Sequence, residues 1–371
     1  MNTPKEYHEN LARVAGGVRS FFEKTFASVE IVRPPMEQAE IDQGPIMIVC
    51  THRSQADYFI IGNYLYHFGI GNLRFAAGDN LTELPYLGRR FKSWGAFPVK
   101  RDSARNRAYI MGLCEDVARM MEDGDNIIVF PEGGRSYKGN MMDINQVVIG
   151  AAVVAQARNP GLPVRLLPCA ISYEQLPELH AFQVLNKGKK LRAPENPFLT
   201  RMHGTLLYFG ADLVAFAKFL QARHFGIRYG SLYIDMDKLL PISDLVDLKA
   251  GYNPDAPNEF WAHRKVIKSV SAIVHQRFLA LYRLLPLHAM ALAIKKRGAI
   301  DKTGYIGDIE QTVAELRAQG RNLRSFDSLG PAQVIDKGLE QLRVMKAVSL
   351  NGGAVTVTRP EIIDYYAASI E

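Results

Sequence analysis

Ile46-Met47-Ile48-Val49-Cys50-Thr51-His52-Arg53-Ser54-Gln55-Ala56-Asp57 joins an unbroken apolar run to a polar turn that holds a histidine and an aspartate. An apolar run of this length, bounded by a polar turn, reads as a strand buried on both faces of a sheet. Short runs of the same kind recur at Ala96 to Val99, Ile127 to Phe130, Val164 to Ile171 and Ser231 to Met236. Between them, Arg105 to Glu122 and Asn145 to Ala157 have the apolar spacing of crossover helices. The pattern predicts an α/β protein with a mixed, largely parallel central sheet flanked by helices.

Ahead of the sheet, Leu11, Val14, Ala15, Val18, Phe22 and Phe26 recur at helical spacing. They predict an amphipathic N-terminal helix whose apolar stripe suits either packing on the main domain or a membrane interface. Gln183 to Phe209, with Lys187, Lys189, Lys190, Arg192, Pro194 and Pro197, reads as a solvated excursion from the sheet. After Asn253 to Pro257 the chain turns mainly helical, at Phe260 to His288, Ile306 to Ala318 and Pro331 to Met345. A turn at Asn351-Gly352-Gly353 between two short apolar pieces and a last helix from Pro360 follow. The expected organisation is an N-terminal helical segment over 1–43, an α/β domain over 44–252 and a mainly helical C-terminal region over 253–371.

The 371 residues include 45 Lys and Arg against 38 Asp and Glu, a net charge of +7, and 47% are hydrophobic. That mixture excludes a disordered or fibrous chain, and the excess of cations suits an anionic partner. Nucleic acid is the poorest fit among such partners. The basic residues form no aromatic-interleaved stripe, and Asp336, Glu340, Glu361 and Asp364 dilute the charge of the helix-plus-hairpin tail despite its winged-helix character. Cys50, Cys114 and Cys169 cannot all pair and form no CxxC, which points to a reducing compartment and away from zinc. The polar start from Met1 to Glu9 does not resemble a signal peptide. The longest apolar stretch, Phe278 to Ile294, is broken by Arg283, Pro286 and His288, so no transmembrane helix is expected.

Three segments carry the chemistry. His52 and Asp57 lie five apart where a strand gives way to a helix, so the carboxylate can hold one imidazole nitrogen and leave the other as a base. This is a serine-type triad without its serine, and it makes sense if the substrate brings the hydroxyl nucleophile. Gly95-Ala96-Phe97-Pro98-Val99-Lys100-Arg101 ends a strand with two cations, near Arg89, Arg90, Lys92, Arg105 and Arg107, and suits a phosphate. Phe130-Pro131-Glu132-Gly133-Gly134-Arg135-Ser136 follows a strand with a glycine pair that lets amides approach a ligand and an arginine able to grip phosphate. Glu132 would repel phosphate unless it binds a hydroxyl or orients Arg135. Amides near the helix start after Thr51 are candidate oxyanion donors.

Taken in this order, the segments resemble the motifs of the glycerolipid acyltransferase superfamily. His52 to Asp57 matches its His-four residues-Asp motif, Gly95 to Arg101 its second and Phe130 to Ser136 its third. Leu166-Leu167-Pro168-Cys169-Ala170-Ile171 matches the fourth, and the resemblance spans about Ile46 to Met236. Within the superfamily the sequence is similar to the glycerol-3-phosphate and dihydroxyacetone-phosphate branch. Two departures are Pro98, in place of a bulky apolar residue, and Pro131, which gives the third motif a start common in lysophosphatidate enzymes.

The resemblance implies transfer of a fatty acyl group from acyl-CoA or an acyl carrier protein to a hydroxyl of a glycerol phosphate, without metal or cofactor. It implies His52 and Asp57 as the catalytic pair. Arg101 and Arg135, with Lys100 and Arg53, would hold the acceptor phosphate, and Glu132 and Gly133 would shape its pocket. Ser54, Gly134, Ser136 and Pro168 complete the implied substrate-binding set. A lysophospholipid acceptor and a non-catalytic lipid- or carrier-binding protein are the alternatives. The expected location is the cytoplasmic face of a membrane, peripherally bound to its anionic surface.

Overall fold

The computed structural model of the protein describes residues 16–17, 19–78, 87–100, 106–179 and 228–370. The main sheet contains β1 (Val29–Val32), β2 (Ile46–Cys50), β3 (Leu73–Gly78), β4 (Ala96–Val99), β5 (Asn126–Val129), β6 (Arg165–Tyr173) and β7 (Leu232–Met236), in the order β1-β7-β6-β2-β5-β3-β4. β6, β2, β5, β3 and β4 are mutually parallel, whereas β7 runs antiparallel to β6 and is paired on its far side by β1. The short β8 (Leu240–Pro241) pairs with the start of β6. All five strands expected from the sequence are present, and the sheet is mixed and largely parallel as expected.

Period-two alternation sorts each central strand onto two cores. Ile46, Ile48 and Cys50 of β2 face one core with Ile60, Ile61 and Leu65 of helix α1 (Asp57–His67). Met47 and Val49 face the other with residues of α2 (Arg107–Glu122), α3 (Gln146–Arg158) and α4 (Arg264–Leu281). The run from Ile46 to Cys50 is fully buried because helices cover both faces. Pro168 lies between the stretch of β6 that pairs with β8, Arg165 and Leu166, and the stretch that pairs with β7, from Cys169 on. It thus occupies a gap between two antiparallel partners, where a missing N–H costs least.

Two expectations change. Residues 29–32, expected within the N-terminal helical segment 1–43, form β1, whose Val-Glu-Ile-Val alternation suits an edge strand and pairs in parallel with β7. The single helix expected from Phe260 to His288 is divided into Glu259–Ala262, α4 and α5 (Pro286–Arg297). Pro286 sets the last break: it opens α5 at its first turn and holds Leu285 extended. Of the N-terminal amphipathic stripe, Leu11, Val14, Ala15 and Val18 lie outside the described residues. Residues 19–25 are helical, and Phe22 and Phe26 are buried against the domain, with Phe26 beside the rings of Tyr173 and Tyr229. The excursion from Gln183 to Phe209 also lies outside the described residues.

Beyond α5, helices α6 (Ile306–Ala318), α7 (Pro331–Val344) and α8 (Pro360–Ala367) and the antiparallel hairpin of β9 (Val348–Asn351) and β10 (Ala354–Val357) complete the chain. This region shares one continuous hydrophobic core with the sheet. Arg283, buried in the bend between α4 and α5, ties the two regions together through Asp235 of β7 and Glu30 of β1, with bonds of 2.6–3.0 Å. No helix among the described residues is long and apolar enough to cross a membrane.

Candidate active site

The site lies at the carboxyl ends of the parallel strands, where β2 and β5 run side by side and loops can converge. Thr51 leaves β2 still bonded to β6 through the Cys169 carbonyl. The next turn is fastened from inside. Asp57, at the first position of α1, is fully buried, and its Oδ2 accepts the Arg53 amide at 2.7 Å, the Ser54 amide at 2.8 Å and His52 Nδ1 at 3.0 Å. Two fixed amides hold the carboxylate, and the carboxylate holds the ring. The imidazole packs against Phe130, with centroids 4.3 Å apart, and edge-on against Tyr58. Among the described residues Nε2 carries no hydrogen bond, so it is the nitrogen left to receive a proton.

Glu132 has a different role from the one expected. Its Oε1 accepts the His52 amide at 3.0 Å, and its Oε2 accepts the Met142 amide and Arg53 Nη1, both at 3.1 Å. The carboxylate therefore binds the first motif to the third and pairs with Arg53 rather than Arg135. Arg53, expected to hold an acceptor phosphate, is only 2% exposed and lies over the ring of Tyr282 at 5.0 Å. Burial alone would disfavour its cation, but Glu132 and Tyr282 outweigh that and hold the guanidinium above its ordinary value. A charge already matched inside the protein has little left to offer a ligand.

The candidate oxyanion donors are likewise committed. From Thr51 to Asp57 each backbone N–H has an acceptor: the Cys169 carbonyl, Glu132, Asp57 twice, Glu178, Ser54 Oγ and the Ser54 carbonyl. Gly133 adopts a left-handed conformation, φ +72°, in the turn that closes on Phe130. The following Gly134 amide donates to no group among the described residues. Ser136 returns to the first motif, its amide donating to the His52 carbonyl at 3.2 Å. Arg135 is buried and reaches the Tyr137 hydroxyl at 3.3 Å. Ser54 is buried, with Oγ on Glu178 at 2.7 Å.

The remaining predicted residues are farther from the imidazole. Pro168 is buried in β6 opposite Val49, three residues before His52. Lys100 is exposed at the end of β4, its amide donating to the Tyr109 hydroxyl, and β4 is three strands across from β2. Three strand spacings are about 14 Å, so β4 itself stands well away from the strand that leads into His52. Arg101 and Arg105 lie outside the described residues. Pro98 is exposed on this edge strand, a position where proline is tolerated. Burial drives the Cys50 thiol well above its ordinary value, which leaves no thiolate to act as a nucleophile. Among the described residues no three His, Cys, Asp or Glu side chains gather to hold a metal ion.

Sequence reasoning missed two acids of the site's rear wall, both on or just after β6. Tyr173 donates from its hydroxyl to Asp57 Oδ1 at 2.5 Å. Glu178 Oε1 accepts Ser54 Oγ and the Gln55 amide, while its Oε2 has no partner among the described residues, and burial pushes this carboxyl up to about 7. The C-terminal region completes the wall. Ser369 donates to the Gly139 carbonyl just past the third motif, and a side chain at Gly139, φ +92°, would collide with the Tyr365 carbonyl.

Truncation of Glu132 to alanine strands a buried guanidinium and frees two amides. Glu132→Ala is expected to lose about 3–5 kcal/mol of stability in denaturant unfolding. Adding Arg53→Met should recover much of that loss. An Ala variant as stable as the wild type would mean that the pair does not hold the two motifs together.

Residues 29–172 match the acyltransferase family. Glycerol-3-phosphate acyltransferases are among the relatives. That of Actinobacillus pleuropneumoniae serotype 5b is 28% identical over 59% of this chain and 26% of its own length. That of Haemophilus influenzae strain PittEE is 28% identical over 50% and 22%. The chain thus spans about a quarter of the length of these relatives. The crystal structure of the 1-acyl-sn-glycerophosphate (LPA) acyltransferase PlsC of Thermotoga maritima aligns over 72% of this chain and 80% of its own, with a TM-score of 0.37 and 14% identity. The family match begins at the first residue of β1 and ends within β6, so it takes in the sheet strands that carry His52, Asp57 and Glu132. Over this α/β layer the chain is similar to the acyltransferase family.

Proposed function

We propose that the protein transfers a fatty acyl group from an acyl thioester to a hydroxyl of glycerol 3-phosphate, as a step in phospholipid synthesis. The observation that carries this reading is the buried His52–Asp57 pair, whose Nε2 carries no hydrogen bond among the described residues, beside a Cys50 thiol that burial holds well above its ordinary value. In the proposed step His52 Nε2 takes the proton from the acceptor hydroxyl as its oxygen bonds to the thioester carbonyl carbon. The tetrahedral intermediate collapses by breaking the C–S bond, and the proton on His52 passes to the departing thiolate. Asp57 keeps Nδ1 protonated and stabilises the imidazolium between the two transfers. The Gly134 amide, with no partner among the described residues, is the proposed donor to the thioester oxygen. The step as written uses no metal or cofactor.

For the acceptor phosphate the proposed ligands are Arg135 and Arg101, with Lys100. Gly133 and Gly134 provide close approach, while Arg53 and Glu132 act from behind as a structural pair. The donor is acyl-CoA or an acyl carrier protein. An anionic membrane surface is the partner that the +7 charge fits, with peripheral binding on the cytoplasmic face. Pro131 favours one second reading, in which the acceptor is a lysophosphatidate, whose phosphate would use the same cations.

His52→Ala and Asp57→Asn, each checked for intact fold, are expected to lower kcat by about 10²–10⁴, the usual contribution of a positioned general base. A folded His52→Ala enzyme that consumes labelled acyl thioester at the wild-type rate would refute the assignment.

The acceptor is decided by comparing glycerol 3-phosphate, dihydroxyacetone phosphate, lysophosphatidate and an unphosphorylated glycerol with one thioester. Glycerol 3-phosphate should give the highest kcat/KM. Arg135→Ala should raise its KM about tenfold or more, the value of a charge-assisted contact to an anion, with the thioester KM nearly unchanged. A rise confined to the thioester KM would place Arg135 in the donor site.

A further inference from the structure

The two oxygens of Asp57 are used unequally. Oδ2 accepts the two amides and the imidazole, whereas Oδ1 faces the end of β6, where Tyr173 donates to it at 2.5 Å. We propose that Tyr173 is a positioning residue of the acyl-transfer site: its hydroxyl fixes the rotation of the Asp57 carboxylate and thereby the ring of His52.

Geometry favours this over ordinary packing. Tyr173 closes β6, which pairs in register with β2, so the hydroxyl reaches the dyad from a neighbouring strand that cannot shift without breaking the sheet. Its ring is held by Phe26 at 5.9 Å, and both residues are buried. Without Tyr173, Oδ1 would be a carboxylate oxygen facing the protein interior without its donor, and only the contacts on Oδ2 would set the rotation that the imidazole depends on. Burial, and then Asp57 itself, hold the phenol well above its ordinary value, so it stays a donor across the working pH range.

The effect on proton affinity has a definite sign. The phenol withdraws charge from the carboxylate, and removing it concentrates negative charge at Asp57, so a proton is held more tightly on the dyad. Among the described residues, the ionisable groups around this carboxylate include His52, Glu178 and Cys50, together with the Arg53–Glu132 pair, with Arg135 beyond Glu178 and Tyr58 against the His52 ring.

The role rests on the proposed function of His52 and Asp57, and the test separates the two. Tyr173→Phe keeps the ring and removes only the donor. It is expected to lower kcat by about 10- to 100-fold, the range spanned by a hydrogen bond to a charged group, with both KM values nearly unchanged. The acidic limb of its kcat/KM profile should move to higher pH. In an Asp57→Asn background the same change should cost almost nothing further, because the residue acts through Asp57. If Tyr173→Phe fails to fold, 3-fluorotyrosine at this position, a stronger donor of nearly the same shape, should move the acidic limb to lower pH. An unmoved limb with wild-type kcat, or an equal loss with and without Asp57, would overturn the role of Tyr173. An Asp57→Asn enzyme that retains full activity would instead overturn the dyad itself.

Discussion

The carboxylate of Asp57 is the interaction around which the site is organised. Four donors from two elements converge on it: the Arg53 and Ser54 amides and the His52 ring from the turn after β2, and the Tyr173 hydroxyl from β6, all onto the first residue of α1. A buried carboxylate is stable only when its oxygens are supplied with donors. Burying Asp57 therefore dictates the shape of the turn, the entry of α1 and the orientation of the imidazole together. The same economy leaves that turn without a spare amide and moves the search for an oxyanion donor to Gly134.

A second carboxylate, Glu132, does for the loops what Asp57 does for the ring. It holds the His52 amide, the Met142 amide and Arg53, so the first and third motifs form one unit. Arg53 in turn meets Tyr282 at the end of α4, and Ser369 after α8 closes on Gly139. The C-terminal helices thus stand behind the motif loops as a wall, and Arg283 anchors them to the far strands through Asp235 and Glu30. Rigid support of this kind holds the His52 ring in one place.

Local features of the sequence made much of this legible. The apolar run from Ile46 to Cys50 announces a strand covered on both faces, and a histidine and an aspartate five apart across a strand end announce a possible dyad. What could not be read was the direction of charged side chains. A cation next to His52 looks the same in sequence whether it faces a ligand or a buried carboxylate, and Arg53 meets one 79 residues away. Tyr173 and Glu178 bond to the turn across 116 and 124 residues, and no local period marks such contacts. β1 has only four residues and takes its stability from β7, so its alternation was too short to stand out from the helical pattern before it.

The bond scheme at Asp57 fixes which imidazole nitrogen is free, and the proposed chemistry follows from that. Nitrogen-15 NMR of the histidine-labelled protein, with His52 assigned by its absence in His52→Ala, reads the tautomer directly. The scheme predicts a proton on Nδ1, in a hydrogen bond to Asp57, and a bare Nε2 in the neutral ring. A neutral ring with its proton on Nε2 would contradict it, because the nitrogen facing the substrate could then accept no proton.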